Sequence, residues 1–259
     1  MIRVVPSLTK PGLLPIKSTA KIIVVDGEIG AGKTTFLSVL KDQYHDKKVT
    51  IIPEPVELWR STGALNEFYK DPINKAYEFQ SFATVTRITS ARDIVMKNLD
   101  SDVFLIERSP LTDKHIFMKL QEEKIPGYQL PMYHLWCDLW HQLYPLDLSG
   151  ANVTFLVLKP DLNVCMNRTV NRGRREEVTQ EKKTAGVSLE YQTMLRKAHE
   201  NFFEGANHTD IPKSKENLKM LYPSVKILVV SDELANADFT TDSPNRNQIG
   251  SSIIKLIES

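Results

Sequence analysis

Gly27-Glu28-Ile29-Gly30-Ala31-Gly32-Lys33-Thr34 follows the apolar run Lys21-Ile22-Ile23-Val24-Val25-Asp26 and leads into Thr35-Phe36-Leu37-Ser38-Val39-Leu40. A strand, a glycine turn ending in Gly-Lys-Thr and a helix, in that order, form the context of a phosphate-binding loop. Gly27, Gly30 and Gly32 leave the backbone free of Cβ atoms, so successive N–H groups can curl around phosphate oxygens. The helix that starts there adds unsatisfied donors and a positive dipole end. Lys33 is placed to reach the β- and γ-phosphates, and Thr34 to offer its hydroxyl to Mg²⁺. The stretch reads as a nucleoside triphosphate site running from Gly27 through Glu28, Ile29 and Ala31 to Thr35.

Working outward, apolar β-rich runs recur at 21–26, 49–53, 103–107, 153–158 and 226–230. Helical stretches lie between them, near 72–98, 110–123, 131–144, 161–171 and 188–204. This alternation predicts an α/β chain with a five-stranded parallel sheet covered by helices on both faces, a P-loop NTPase fold. In such a sheet, active-site residues belong at the carboxyl ends of the strands. The first strand ends in the phosphate loop, the second in Glu54, and the third in Glu107-Arg108-Ser109. Three charged strand ends in an apolar setting are expected to converge on one cleft.

Bulk composition narrows the classes. Among 259 residues, 33 basic side chains balance 32 acidic ones, for a net charge of +1. That gives no electrostatic signal for nucleic acid or a membrane surface. No run approaches the about 18 apolar residues of a membrane helix. The two cysteines, Cys137 and Cys165, form no paired motif, which fits a reducing compartment and a cytoplasmic location. Residues 1–20 carry Arg3, Lys10 and Lys17 and no acid, a faint presequence pattern that keeps a mitochondrial location as the alternative. Pro6, Pro11 and Pro15 interrupt the helix such a signal needs, so a flexible N-terminal tail over 1–20 is the expectation.

The charged strand ends each admit two readings. Glu54, fixed by Pro55, sits where an attacking hydroxyl would be deprotonated; a surface salt bridge is the plainer alternative. Glu107 suits a magnesium contact, and Arg108 suits charge neutralisation on a transferring phosphoryl group; a structural ion pair competes. Arg168, Arg172, Arg174 and Arg175 form a basic run just after the fourth strand and its helix. A solvated helix face or a nucleic-acid patch would also explain them. Their position on the phosphate side favours an arginine-rich lid that closes over the triphosphate and excludes water.

Together these motifs resemble one family, the deoxynucleoside kinases: the deoxycytidine, deoxyguanosine and mitochondrial thymidine kinases and their insect relative. The likeness runs from about residue 21 to 205 and resumes near 226–239. It is carried by Glu54-Pro55-Val56 with Trp59, Tyr69-Lys70-Asp71-Pro72, Phe79-Gln80-Ser81, Glu107-Arg108-Ser109, and Arg172-Gly173-Arg174 with Glu177. The resemblance implies one kinase domain over 21–259 with a lid at about 168–187, a MgATP donor and a nucleoside acceptor. It also implies a homodimer formed through a helical bundle.

Residue by residue, it makes Glu54 the base for the sugar 5′-hydroxyl and Arg108 the group that holds it. Tyr69 and Glu177 would bind the 3′-hydroxyl; Arg168, Arg172 and Arg174 would form the lid. Trp59, Phe79 and Phe117 would flank the base, and Gln80 would meet its Watson–Crick edge. Asp238 and Phe239 would touch the base of the phosphate donor. Arg87 and Asp113, with Ala83 beside them, resemble the pair found in the deoxycytidine and deoxyguanosine kinases. Such a pair fixes a carboxylate for an exocyclic amine and fills the space of a thymine methyl. Deoxycytidine and purine deoxynucleosides are therefore expected over thymidine. An ordinary stabilising salt bridge is the alternative.

The chain departs from the family pattern between Glu177 and Tyr191, where roughly seven extra polar residues lengthen the lid's far arm. This leaves open whether Glu177 or Glu176 faces the sugar. The rival functions are a nucleoside monophosphate kinase of thymidylate-kinase type and a non-catalytic nucleotide-binding subunit. The first would need cations for an acceptor phosphate, and the second would lack Lys33, Glu54 or Arg108.

Overall fold

A computed structural model describes residues 11–72, 74–173, 178–179, 184–185, 187–240 and 246–259. Its strands are β1 (Lys21–Gly27), β2 (Val49–Ile52), β3 (Val103–Glu107), β4 (Val153–Lys159), the short β5 (Val178–Thr179) and β6 (Thr184–Ala185), and β7 (Lys226–Ser231). The α-helices are α1 (Lys33–Gln43), α2 (Val56–Ser61), α3 (Ala64–Lys70), α4 (Ala76–Met96), α5 (Pro110–Thr112), α6 (Gln129–His141), α7 (Leu162–Arg172), α8 (Leu189–His199), α9 (Leu218–Leu221), α10 (Asp232–Asn236) and α11 (Arg246–Glu258).

Five strands pair in the order β2-β3-β1-β4-β7, all parallel. The apolar runs are continuous because both faces are buried. Ile22, Val24, Phe104, Ile106, Phe155 and Val157 point into one layer with Ile88, Ala91 and Val95 of α4 and Leu195 of α8. Ile23, Val25, Leu105, Leu156 and Leu158 point into the other, against Phe36, Leu37 and Leu40 of α1 and Ile249, Ile253 and Ile257 of α11. Burying each such large side chain contributes about 1.5–3 kcal/mol.

After β1 the chain moves to the β2 edge, returns through β3, and then crosses to β4 on the other side. That reversal places the carboxyl end of β1 at the switch point where ligands bind in open α/β sheets. A third apolar cluster stands over this end. In it Trp59, Leu65, Phe68 and Phe79 from α2, α3 and α4 pack with Met118, Ile125 and Tyr133.

All five strands of the main sheet fall where the apolar runs predict them. Helices α2, α3, α9, α10 and α11 lie outside the expected helical stretches. The first four are short, and α11 lies beyond the last strand. Residues 11–20, expected as the end of a flexible tail, are packed instead. Gly12 N–H donates to Gln142 O at 2.8 Å, Leu14 N–H to Pro145 O at 3.0 Å, and Arg92 donates to Gly12 O at 2.9 Å. Leu14 and Ile16 are buried enough against the core to repay this ordering. Within the long arm of the lid, read as flexible, β5 and β6 pair antiparallel.

Candidate active site

The phosphate loop keeps its shape because only glycine fits two of its positions. Gly27 has φ 137°, and a Cβ there would lie 2.3 Å from Leu158 O. Gly30 has φ 80°, and a Cβ would lie 2.2 Å from Cys165 O. The loop thus packs backbone to backbone against β4 and α7 and delivers Lys33 as the first residue of α1. Lys33 Nζ donates to Glu28 O at 2.8 Å and to Gly27 O at 3.2 Å. Its burial, reinforced by the nearby charge of Arg108, pushes its pKa down to about 8. Thr34 Oγ1 lies 3.0 Å from both carboxylate oxygens of Glu107.

The second and third strand ends meet here as expected. Arg108 Nη1 donates to both oxygens of Glu54 at 3.0 Å, and Arg87 Nη2 donates to Glu54 Oε1 at 2.8 Å. Arg108 also donates to Gly27 O at 3.1 Å, which ties Glu54 to the phosphate loop. Burial opposes the charge of Glu54, but Arg108, Arg87 and Lys33 hold its carboxyl far below the usual carboxylate range. Arg108 takes φ 59°, the one non-glycine residue in the left-handed region among the described residues. Backbone strain of this kind persists where surrounding contacts over-determine it.

Arg87 grips Asp113 with two bonds, Nε to Oδ2 at 2.8 Å and Nη2 to Oδ1 at 3.0 Å. Its remaining amine donates to Glu107 O at 3.1 Å. Asp113 opens a π-helical turn, Asp113–Phe117, that continues α5. The wider turn brings both Asp113 and Phe117 onto the cleft, and Phe117 places its ring 4.8 Å beneath the Arg108 guanidinium.

Two cavities adjoin at these groups. One, of about 80 Å³, is walled by Trp59, Phe79, Phe117 and Tyr69 and includes Gln80, Ala83, Arg87, Asp113 and Glu54. Phe79 stacks on Phe68 at 4.6 Å and meets Trp59 edge-on at 5.6 Å, making a rigid aromatic slot. The other, of about 560 Å³, lies over Gly30, Gly32, Lys33, Thr34 and Thr35 and is bounded by Arg168, Asp238 and Phe239. Gly30, Lys33, Glu107 and Arg172 line both.

Three expected nucleotide contacts differ in detail. The Glu28 side chain turns away from the phosphate cavity and pairs with Arg196, while Ile29 lines the aromatic slot. Arg168 is not held out as a lid residue. Its guanidinium donates to the carbonyls of Ala31, Ala235, Asn236 and Ala237 and lies 5.5 Å over the Phe239 ring, clamping the loop to α10. Four fixed carbonyls outcompete solvent for a side chain that sequence places only on a helix face. Arg174, Glu176 and Glu177 lie outside the described residues.

Sequence reading missed Tyr191, which reaches the slot from α8. It also missed how α8 grips the phosphate loop. Gln192 donates to Ile29 O at 2.6 Å, Arg196 pairs with Glu28, and His199 meets Asp26. The spacing of Gln192, Arg196 and His199 puts them on one helix face, the only sequence signal for this role. A model of the family described as Deoxynucleoside kinase matches residues 23–258. A probable deoxycytidine kinase of fowlpox virus (strain NVSL) is 29% identical over 241 residues, covering 92% of this chain and 89% of that protein. Human deoxycytidine kinase is 28% identical over 205 residues, 70% of this chain and 75% of its own. The mitochondrial deoxyguanosine kinase of Xenopus laevis is 25% identical over 247 residues, 87% of each chain. With its phosphate loop, its paired cavities and this match over nearly its whole length, the chain is a phosphotransferase that belongs to the deoxynucleoside kinase family.

Proposed function

We propose that the protein transfers the γ-phosphoryl group of ATP to the 5′-hydroxyl of deoxyribonucleosides, with deoxycytidine and the purine deoxynucleosides preferred over thymidine. The observation that carries this reading is the junction of the two cavities. An aromatic slot sized for a base meets a phosphate cradle at Lys33 and Glu107, with Glu54 on the slot side. A nucleoside seated there presents its 5′-oxygen to Glu54 in line with a phosphate over Lys33.

Glu54 accepts the hydroxyl's hydrogen bond and, as the new P–O bond forms, its proton. Its low basicity suits a loose transition state in which proton transfer comes late. Lys33 and Arg108 stabilise charge on the equatorial oxygens. Thr34 and Glu107 would hold Mg²⁺ together with the donor's phosphates, and the ion would neutralise charge there. A single carboxylate beside a hydroxyl is the donor set expected where phosphates complete the shell.

Asp113, fixed by Arg87, offers an acceptor to an exocyclic amine and supports the base preference. Arg87 and Arg108, two of the three arginines that line the slot among the described residues, already pair with carboxylates, which favours an uncharged acceptor over a monophosphate. Phosphate transfer from labelled MgATP to dC, dA, dG, dT and dCMP, run side by side, tests the reading. Products from dC and the purine nucleosides with little from dT are expected. Strong dT activity would overturn the base preference, and transfer only to dCMP would overturn the acceptor.

The assembly we propose is a homodimer formed across α6, whose outer face exposes Leu135, Trp136 and Leu139. We place the protein in the cytoplasm, on the support of two buried free thiols, with mitochondria as the alternative. Among the described residues no helix is long and apolar enough to cross a membrane.

A further inference from the structure

Asp26 takes no part in the chemistry above, yet it lies fully buried directly behind it. Its Oδ1 accepts the Gly27 N–H at 2.8 Å and faces His199 Nε2 at 3.2 Å; its Oδ2 accepts the Thr112 hydroxyl. Arg108 Nε stands 3.8 Å from that Oδ1, just beyond hydrogen-bond range, and is buried with no hydrogen-bond partner. His199, at the end of α8, is equally enclosed, with Nδ1 2.7 Å from Leu195 O and its ring against Phe203. Asp26 thus lies between His199 and the Arg108 guanidinium. Burial opposes ionisation of its carboxyl, but His199 and then Arg108 hold it below the ordinary value.

Arg108 consequently faces two carboxylates. Glu54 holds its tip, while Asp26 waits at its Nε. A buried carboxylate deprived of His199 would draw that nitrogen in, a movement of less than about 1 Å, and misplacement on this scale can cost about 100-fold in rate. We propose that His199 is a positioning residue: by occupying Asp26 it leaves Arg108 on Glu54, and so sets the geometry of phosphoryl transfer without touching substrate. The proposal rests on the roles given above to Glu54 and Arg108. It accounts for three otherwise unexplained features: the buried histidine, the orphaned Arg108 Nε and the acid at the end of β1.

The test compares His199→Gln with His199→Asn in the full chain. Glutamine places a donor where Nε2 stands and keeps Asp26 occupied; asparagine replaces only Nδ1 and keeps the bond to Leu195. The glutamine enzyme should retain kcat to within about threefold. The asparagine enzyme should lose about tenfold or more in kcat, with nucleoside KM changed less than about threefold. Adding Asp26→Asn to His199→Asn removes the competing charge and should recover part of the loss. Should His199→Asn fail to fold, Thr112→Val takes a donor from the other oxygen and should lower kcat in the same direction.

Equal kcat in the two His199 variants, a more active asparagine enzyme, or a KM that rises as kcat falls would overturn the proposal. So would an unchanged Thr112→Val enzyme. Glu54→Gln measured alongside separates the two readings. Full activity in that variant would overturn the role of Glu54 and this proposal with it. An impaired Glu54→Gln enzyme with equal His199 variants overturns the His199 assignment alone.

Discussion

Lys33 and Glu54 both line the slot at the junction of the two cavities, and both are shifted downward in pKa, which threatens the charge of the lysine and secures that of the glutamate. Burial depresses Lys33 to about 8, so in the nucleotide-free protein its charge is present below that pH and lost above it. ATP affinity should therefore weaken as pH rises from 7 to 9, while nucleoside affinity holds; calorimetric titration with each ligand checks this. Equal ATP affinities at the two pH values would contradict the shift. Glu54 is displaced downward by two arginines and stays ionised throughout the usual carboxylate range. No acid limb in kcat should come from it near about pH 4–5, where an ordinary glutamate with a pKa of about 4.3 would give one. Glu54→Gln should lower kcat by about 10²–10⁴ with little change in nucleoside binding. Retention of most activity would show that Glu54 serves only as a structural acceptor.

At the scale of elements, the π-helical turn Asp113–Phe117 lines the slot, and α11 braces Phe239 at the edge of the phosphate cavity. The turn hands Asp113 to Arg87, and Arg87 reaches on to Glu54. In the proposed mechanism, base selection and catalysis therefore share one side chain. Arg87→Met with Asp113→Ala should raise the dT-to-dC ratio but lower turnover overall, because Glu54 loses one of its two donor side chains. An unchanged ratio, read by parallel steady-state assays, would make the pair structural only. In that brace, Arg246 of α11 donates to Phe239 O and pairs with Asp42 of α1. Ile253 lies beneath it, wholly buried against α1 and the sheet. Ile253→Ala should cost about 2–5 kcal/mol in chemical unfolding, the range for large-to-small core changes.

For the whole molecule, the proposed dimer turns on one surface. α6 buries Tyr133 and Cys137 on one side and leaves Leu135, Trp136 and Leu139 exposed on the other. An apolar stripe of this kind marks an interaction surface. Leu135→Asp with Leu139→Asp should convert a dimer to a monomer in light scattering behind a sizing column, with the fold intact by circular dichroism. A parent chain that already elutes as a monomer would remove the dimer from the proposal.

Much of the site was legible before any coordinates, and for a physical reason. Phosphate binding uses consecutive backbone N–H groups, so Gly27 to Thr35 announces itself in one short window. Buried parallel strands read as continuous apolar runs, and the end of each run marks where an active-site group belongs. The meeting of Glu54, Glu107 and Arg108 in one cleft is legible that way. Tertiary structure decided what sequence spacing does not encode: that Arg87, 33 residues from Glu54, holds it; that Arg168 clamps the loop; and that His199, 173 residues from Asp26, lies against it. Those contacts arise from the crossover of the chain about β1 and the packing of α8 on the phosphate loop. Only the folded sheet brings them within hydrogen-bond reach.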